Sequence, residues 1–382
     1  MHVVVSKKDL LRVLSRCQAV ADRKSTMPVL GNVLLETAGN EALRLAATDL
    51  YLAVSGTLPA QVEQAGSIAV GAKDLFERVK LMPDGQIAIA ATEGSTTTVR
   101  AVGAARRYTL HGIPGEEFPA LPRPDEGAQV LTLDVATLGG LIGSTMFSIS
   151  TDETRMHLNS ALFEWDADHV RMVTTDGHRL SKSEVVLPDK EANATMLIPL
   201  KGVSELKRLC DEARGESSDD DSGARQLEMV QSGPNAFFDL AGFQFSVKLV
   251  DGQFPPYEQV IPEASERAVR APRLAMADAL RAVSVAANDR TGGVKVTLTP
   301  GKMRFESESP ESGEGFDEVP VEYDGAEVTI GFNARYFLDV LTAMDADEIL
   351  LGLSGELDPA VLKPASERTE ASYLSVIMPM RI

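Results

Sequence analysis

Apolar positions along the chain follow two spacings that alternate in a fixed order. Spacings of three and four mark a helix face, and a spacing of two marks a half-buried strand. Val3 and Val5 open a strand, and Leu10, Leu11, Leu14 and Cys17 then line one side of a helix. This helix, turn and strand recur three times, from Ser6 to Leu35, from Leu133 to Phe163 and from Leu274 to Leu298. A short strand running into a helix also recurs. Its copies are Ser67 to Val70 before Lys73 to Met82, Met196 to Pro199 before Lys201 to Ala213, and Val328 to Gly331 before Asn333 to Met344. Alternating strand residues and a proline close each copy, at Tyr108 to Pro119, Phe245 to Pro255 and Tyr373 to Pro379. Period-two stretches lie between, such as Leu50, Leu52 and Val54 against Tyr51, Ala53 and Ser55.

Self-similarity at a long period marks repeated structural units. Each unit holds two helices and several strands, which predicts an α+β fold with helices packed on antiparallel sheet. The predicted domains are 1–127, 128–264 and 265–382. Turn formers and charge place linkers at Pro119 to Asp125 and at Pro262 to Arg267. Gly215 to Gly223, with Asp219, Asp220 and Asp221, reads as a solvated, mobile loop.

Composition narrows the function. A chain of 382 residues is long enough for two or three domains. It has no apolar run of membrane-spanning length and no signal-peptide pattern at its start, which predicts a cytoplasmic protein. Cys17 and Cys210 fall on apolar helix faces and read as buried thiols. No CxxC pair occurs and the five histidines are scattered, so no metal site is expected. The net charge of −19 argues against wrapping nucleic acid, unless the basic residues are gathered locally. Lys8, Arg12 and Arg16 share one face of the first helix, Lys73 and Lys80 one face of the second, and Lys201 and Arg208 one face of the fourth. A ring with those helices inward would have a basic lumen that holds a duplex without reading its sequence.

The densest polar cluster is Thr174-Thr175-Asp176-Gly177-His178-Arg179. Asp176 and His178 could serve acid–base chemistry. The first unit carries Thr48-Asp49-Leu50 at the same place, so Thr-Asp reads first as a strand-end turn in which Gly177 accepts a positive φ. No phosphate-loop, dinucleotide or zinc-protease motif occurs. The tail from Val376 to Ile382 carries two methionines, suited to an adaptable surface.

Leu30-Gly31-Asn32, Thr175 to Leu180, Lys248 to Pro255, Ile330 to Asn333, Leu338 to Leu341 and Met378 to Arg381 together resemble the bacterial DNA polymerase III beta subunits, the sliding clamps. The matches span all three units in order. The resemblance implies a head-to-tail homodimer, a ring of six similar domains around double-stranded DNA. It implies loading by an ATP-driven clamp loader through its delta subunit, and tethering of the polymerase III alpha subunit. It also implies that other polymerases, ligase and mismatch-repair proteins use one pocket for a linear motif rich in Gln, Leu and Phe. That pocket would comprise Arg155, Leu158, Thr175, Gly177, His178, Arg179, Leu180, Pro255, Val260, Tyr336, Val376, Met378, Pro379, Met380 and Arg381, and its shape also suits peptide antibiotics. DNA contacts would come from Lys24, Lys73, Arg155 and His157. Arg107, Tyr108 and Leu110 would meet Val285, Ala286, Phe305, Glu306 and Glu308 of a second copy. The resemblance implies no catalytic residue, cofactor or metal. Two pocket positions depart from the best-known members: His157 replaces Tyr, and Gln259 replaces Arg. Asp152 stands where some members have Gln. Two other classes fit the residues, a hydrolase built on His178 and Asp176 and a repeat scaffold that does not bind DNA.

Overall fold

The computed structural model describes the chain apart from residues 93–95, 188–192, 216–224, 241, 289–290, 367–370 and 382. The expected acidic loop at Asp219 to Asp221 lies outside the described residues. The described chain divides into two compact units, Met1–Asp134 with Arg225–Leu249, and Val135–Ala224 with Val250–Ile382.

The first unit is built on a twelve-stranded antiparallel sheet. Its helices are α1 (Lys7–Val20) and α2 (Ala72–Lys80). α1 follows the extended residue Ser6 and presents Leu10, Val13, Leu14 and Cys17, all fully buried, to strands Ala42–Thr48 and Leu52–Gln64. Burying each such side chain stabilises the fold by roughly 2 kcal/mol. Strand Phe243–Lys248 extends this sheet by pairing with Leu52 to Gly56. The sheet therefore runs from the first repeat into strands of the second.

Two expectations change here. Arg16 does not belong to an exposed basic face. It is 2% exposed, with its guanidinium 3.5 Å from the centroid of the Phe243 ring, because the added strand brings that ring against α1. Leu50 does not belong to an alternating strand. It sits in a turn at φ +74°, and the strand that follows is buried on both faces from Leu52 to Ser55.

The second unit holds α3 (Val135–Thr145), α4 (Leu200–Gly215), α5 (Arg273–Ser284) and α6 (Ala334–Ala343). An eight-stranded antiparallel sheet has the order Ala194–Pro199, Ser160–Trp165, His169–Thr175, Arg179–Val186, Ala371–Ile377, Ala360–Pro364, Glu348–Leu353, Arg267–Pro272. The join between the second and third repeats is the ladder of Arg179–Val186 with Ala371–Ile377, in which Arg179 faces Ile377 and Leu180 faces Val376. A four-stranded sheet runs Gly313–Pro320, Lys302–Ser309, Gly293–Thr299, Val328–Asn333. α5 and α6 pack together over a core that includes Met276, Leu280, Phe305, Phe332 and Phe337. Asn333 caps α6 by accepting a hydrogen bond from the Arg335 amide. Of the basic face expected on α4, Arg208 is neutralised by Glu205 and Glu212. Cys17 and Cys210 are buried thiols outside any disulfide, as expected.

The repeat extends to individual hydrogen bonds. In the first unit, Thr48 Oγ1 donates to the Leu52 carbonyl, the Leu50 amide donates to Thr48 Oγ1, and Asp49 accepts from the Tyr51 and Leu52 amides. In the second, Thr175 Oγ1 donates to the Arg179 carbonyl, the Gly177 amide donates to Thr175 Oγ1, and Asp176 accepts from the His178 and Arg179 amides. Leu50 and Gly177 share the positive φ that closes this turn, at +74° and +91°. Glycine adopts it without cost, whereas leucine pays in strain. Thr-Asp is thus a structural turn in both copies.

Candidate partner-binding site

The turn at Thr175 to Arg179 ends one strand, and the segment after Ile377 ends its ladder partner. The Met378 amide donates to the His178 carbonyl at 2.9 Å, which holds the tail against the turn. Arg179 is the hub. Its Nε donates to Asp176 at 3.1 Å, Nη1 to Asp339 at 2.6 Å, and Nη2 to the Phe147 carbonyl at 2.5 Å. Its guanidinium lies 4.6 Å from the Tyr336 ring centroid and 5.3 Å from that of Phe147. The turn, α6 and the segment at Phe147 therefore meet at one side chain that is 8% exposed. The planar, five-donor guanidinium is the group that can span them. Burial raises the Tyr336 hydroxyl above its ordinary pKa, Asp176 adds to the rise and Arg179 opposes it. His178 is exposed and stacks beside Tyr336, with centroids 6.4 Å apart and planes within 15°.

Below this turn lies an apolar cluster of Leu162, Val173, Leu180, Leu197, Tyr257 and Val376. Pro255 and Val260 flank Tyr257 in sequence, and Val260 is 40% exposed. Met378 is 37% exposed on the same ladder end. Arg155 is exposed, paired with Asp152 at 2.9 Å, and its guanidinium would lie 3.9 Å from a Cβ built on Gly177. The Asp152 carboxyl is held below its ordinary pKa, first by the Thr154 hydroxyl and amide. The result is an exposed rim of His178, Met378 and Val260, with half-buried Tyr336 beside it, over a buried apolar floor, an arrangement suited to a peptide side chain.

It is poorly suited to catalysis. The Asp176 carboxylate is occupied by two backbone amides and Arg179, and His178 stacks on a ring instead of facing a nucleophile.

Family models settle the class. The N-terminal, central and C-terminal domains of the DNA polymerase III beta subunit match residues 1–122, 132–256 and 258–381. The chain belongs to the DNA polymerase III beta subunit family. The beta sliding clamp of Pseudomonas putida is 32% identical and that of Escherichia coli K12 30% identical, each over the whole of both chains. Two solved clamps, from Pseudomonas aeruginosa and from Bartonella birtlesii, superpose over the whole of both chains with TM-scores of 0.91, at 30% and 32% identity. Both were solved bound to griselimycin. The chain is thus a DNA sliding clamp of three tandem clamp domains, a processivity factor and not an enzyme.

Among the site residues expected for this clamp, Thr175, Gly177, His178, Arg179, Leu180, Tyr336, Val376 and Met378 come together as described. Leu158 is 7% exposed and lies beneath the surface. Pro379 leads out of the ladder to Met380, whose amide donates to the Gly331 carbonyl at 2.8 Å. Met380 and Arg381 line a cleft of about 730 Å³ with Lys295, Glu306, Glu308 and Phe316. Lys24 and His157 are exposed, and Lys73 is exposed but paired with Glu77 at 3.4 Å.

Three residues expected at a subunit contact turn inward. Phe305 is 0%, Leu110 5% and Ala286 7% exposed, because each faces its own core. The apolar surface nearby belongs to Val285 and Phe316, 80% and 60% exposed, and Phe316 was missed. Its strand alternates only weakly, which hid its outward position. Asp339 and Phe147 were missed as partners of Arg179. Asp339 stands three residues after Tyr336, on the same helix face, and that spacing was the available signal. Phe147 contributes a backbone carbonyl, which no side-chain pattern reveals.

Proposed function

We propose that two copies of this clamp close head to tail into a six-domain ring around duplex DNA in the cytoplasm, with domain boundaries at 127/128 and 264/265. The carrying observation is the match of three clamp domains, in order, to the whole chain. A closed ring cannot leave an uninterrupted duplex, so weak contacts from residues such as Lys24 suffice despite a net charge of −19. Ring closure draws support from two open sheet edges. Gly313–Pro320 pairs only with Lys302–Ser309, and Arg107 to His111 only with Thr96 to Arg100, among the described residues. The first edge carries Glu314, with Glu308 opposite it on the neighbouring strand, and the second carries Arg107, preceded by Arg106, so the charges complement each other. Protein loaded on a nicked circular plasmid should stay bound through gel filtration and be released when the plasmid is linearised. Retention on free-ended DNA would refute topological holding.

The partner site is the rim around Arg179, and its occupants are linear segments of the polymerase III alpha subunit, the clamp loader delta subunit, other polymerases, ligase and mismatch-repair proteins. The griselimycin-bound relatives support a peptide-like occupant. His178→Ala should weaken griselimycin binding roughly five-fold by removing one stacked ring from the rim. Calorimetric titration checks this, and an unchanged affinity would remove His178 from the site.

A further inference from the structure

The wall of the partner site that carries Pro255 and Val260 is a short segment with few ties of its own. Pro256, Glu258, Gln259 and Val260 are exposed, and the single-turn helix Tyr257–Val260 has no side-chain cap. Its one deeply buried residue is Tyr257, 4% exposed. That ring sits in the floor cluster with Leu180 and Val376 and meets Phe254 edge-on, with centroids 6.4 Å apart. A ring held by packing alone can slide or rotate in its plane, so packing does not fix the height of the wall. The hydroxyl does. Tyr257 Oη donates to Glu164 Oε2 at 3.1 Å, on strand Ser160–Trp165. Glu164 is in turn held by the Arg171 guanidinium, 3.7 Å away, and Arg171 is fixed on its other sides by Asp166 at 2.6 Å and Glu184 at 2.8 Å. The carboxylate is thus a fixed acceptor, anchored to the rigid sheet and not to the rim.

We infer that Tyr257 is a positioning residue for partner binding: its hydroxyl, latched to the Glu164–Arg171 pair, sets the height of the Pro255–Val260 wall over the floor. The inference rests on the reading of this rim as a peptide site. Pre-organisation of a wall reduces what binding must spend on ordering it. Burial and the adjacent Glu164 also push the Tyr257 hydroxyl well above its ordinary pKa, so the donor keeps its proton at any physiological pH.

The test uses the full chain in three variants: Tyr257→Phe, Glu164→Ala and Glu164→Gln. Griselimycin affinity is measured by calorimetry, and hydrogen exchange is followed at the Gln259 and Ile261 amides, which donate to the Pro256 and Glu258 carbonyls. Tyr257→Phe and Glu164→Ala should each weaken griselimycin about five-fold, the scale of one hydrogen bond. Both should speed exchange at Gln259 and Ile261 at least ten-fold, with the Arg179–Val186 strand still protected. Glu164→Gln keeps an acceptor for the hydroxyl and should behave as the unmodified protein in both measurements. Unchanged exchange in Tyr257→Phe overturns the latch, whatever the ligand does. Faster exchange with undiminished griselimycin affinity overturns the link between latch and binding. If the unmodified protein fails to bind griselimycin, the reading of the rim falls, while exchange still reports on the latch.

Discussion

Replacing Arg179 by alanine is expected to lower the melting temperature by roughly 6–10 °C and to weaken griselimycin binding about hundredfold. The side chain is nearly buried and joins the Thr175–Arg179 turn, Asp339 of α6 and the Phe147 carbonyl. Its removal leaves Asp176 and the Phe147 carbonyl without their cation, and Asp339 with only Arg335, 3.9 Å away. Breaking a buried pair from one side costs about 3–5 kcal/mol. Asp339 is 31% exposed, and water recovers part of its loss, so the lower end of that range applies. The binding loss is expected to exceed that of one lost contact, because the nearly buried Arg179 fixes where Tyr336 and the His178 turn stand. Arg179→Lys should recover little, since one ammonium cannot reach three acceptors in a plane. Thermal melting and calorimetry together check this. A melt and an affinity both close to those of the unmodified protein would show that the rim needs no hub.

The architecture was legible because it is written three times. A single strand–helix pattern fits many α+β folds, whereas three ordered copies fit few, and their signals reinforce one another. The turn at Asp176 was legible for the same reason, since Asp49 shows it to be structural before any coordinate is seen. What stayed hidden lies where copies meet. Arg16 carries the charge and spacing of an exposed face, and only the distant Phe243 buries it. Phe305 and Leu110 carry the apolar character of a contact surface, yet strand register turns them into their own cores. Pattern gives the period of a strand but not which phase faces out when both sides are half apolar. The site itself divides in the same way. Leu180 and Val376 follow from strand alternation, while the tie between Arg179 and Asp339, 160 residues apart, depends on how two repeats join. The first copy puts Leu52 where the second puts Arg179, after the same turn. The clamp thus keeps the turn as scaffold and changes the residue after it to make a hub.

The second large effect is expected at the open edge of the third domain. Val285→Glu combined with Phe316→Glu should convert the dimer to a monomer at micromolar concentration and abolish retention on nicked circular plasmid. Both side chains are largely solvated in the single chain, so each chain of the double variant should still fold. In the proposed edge-to-edge contact each would be covered. Burying a carboxylate without a partner costs several kcal/mol, and each 1.4 kcal/mol is about tenfold in dissociation constant, so two such residues weaken the dimer by roughly a thousandfold or more. Glycine at 315 explains why this edge presents so little relief of its own. A Cβ there would come within 3.0 Å of the Val283 carbonyl and 3.2 Å of Ala286, so the strand lies directly on α5 and leaves Phe316 to project. Sedimentation velocity reads the assembly and plasmid retention reads the topology. A double variant that remains dimeric would place the subunit contact elsewhere. A monomer that still stays on circular DNA would separate retention from ring closure.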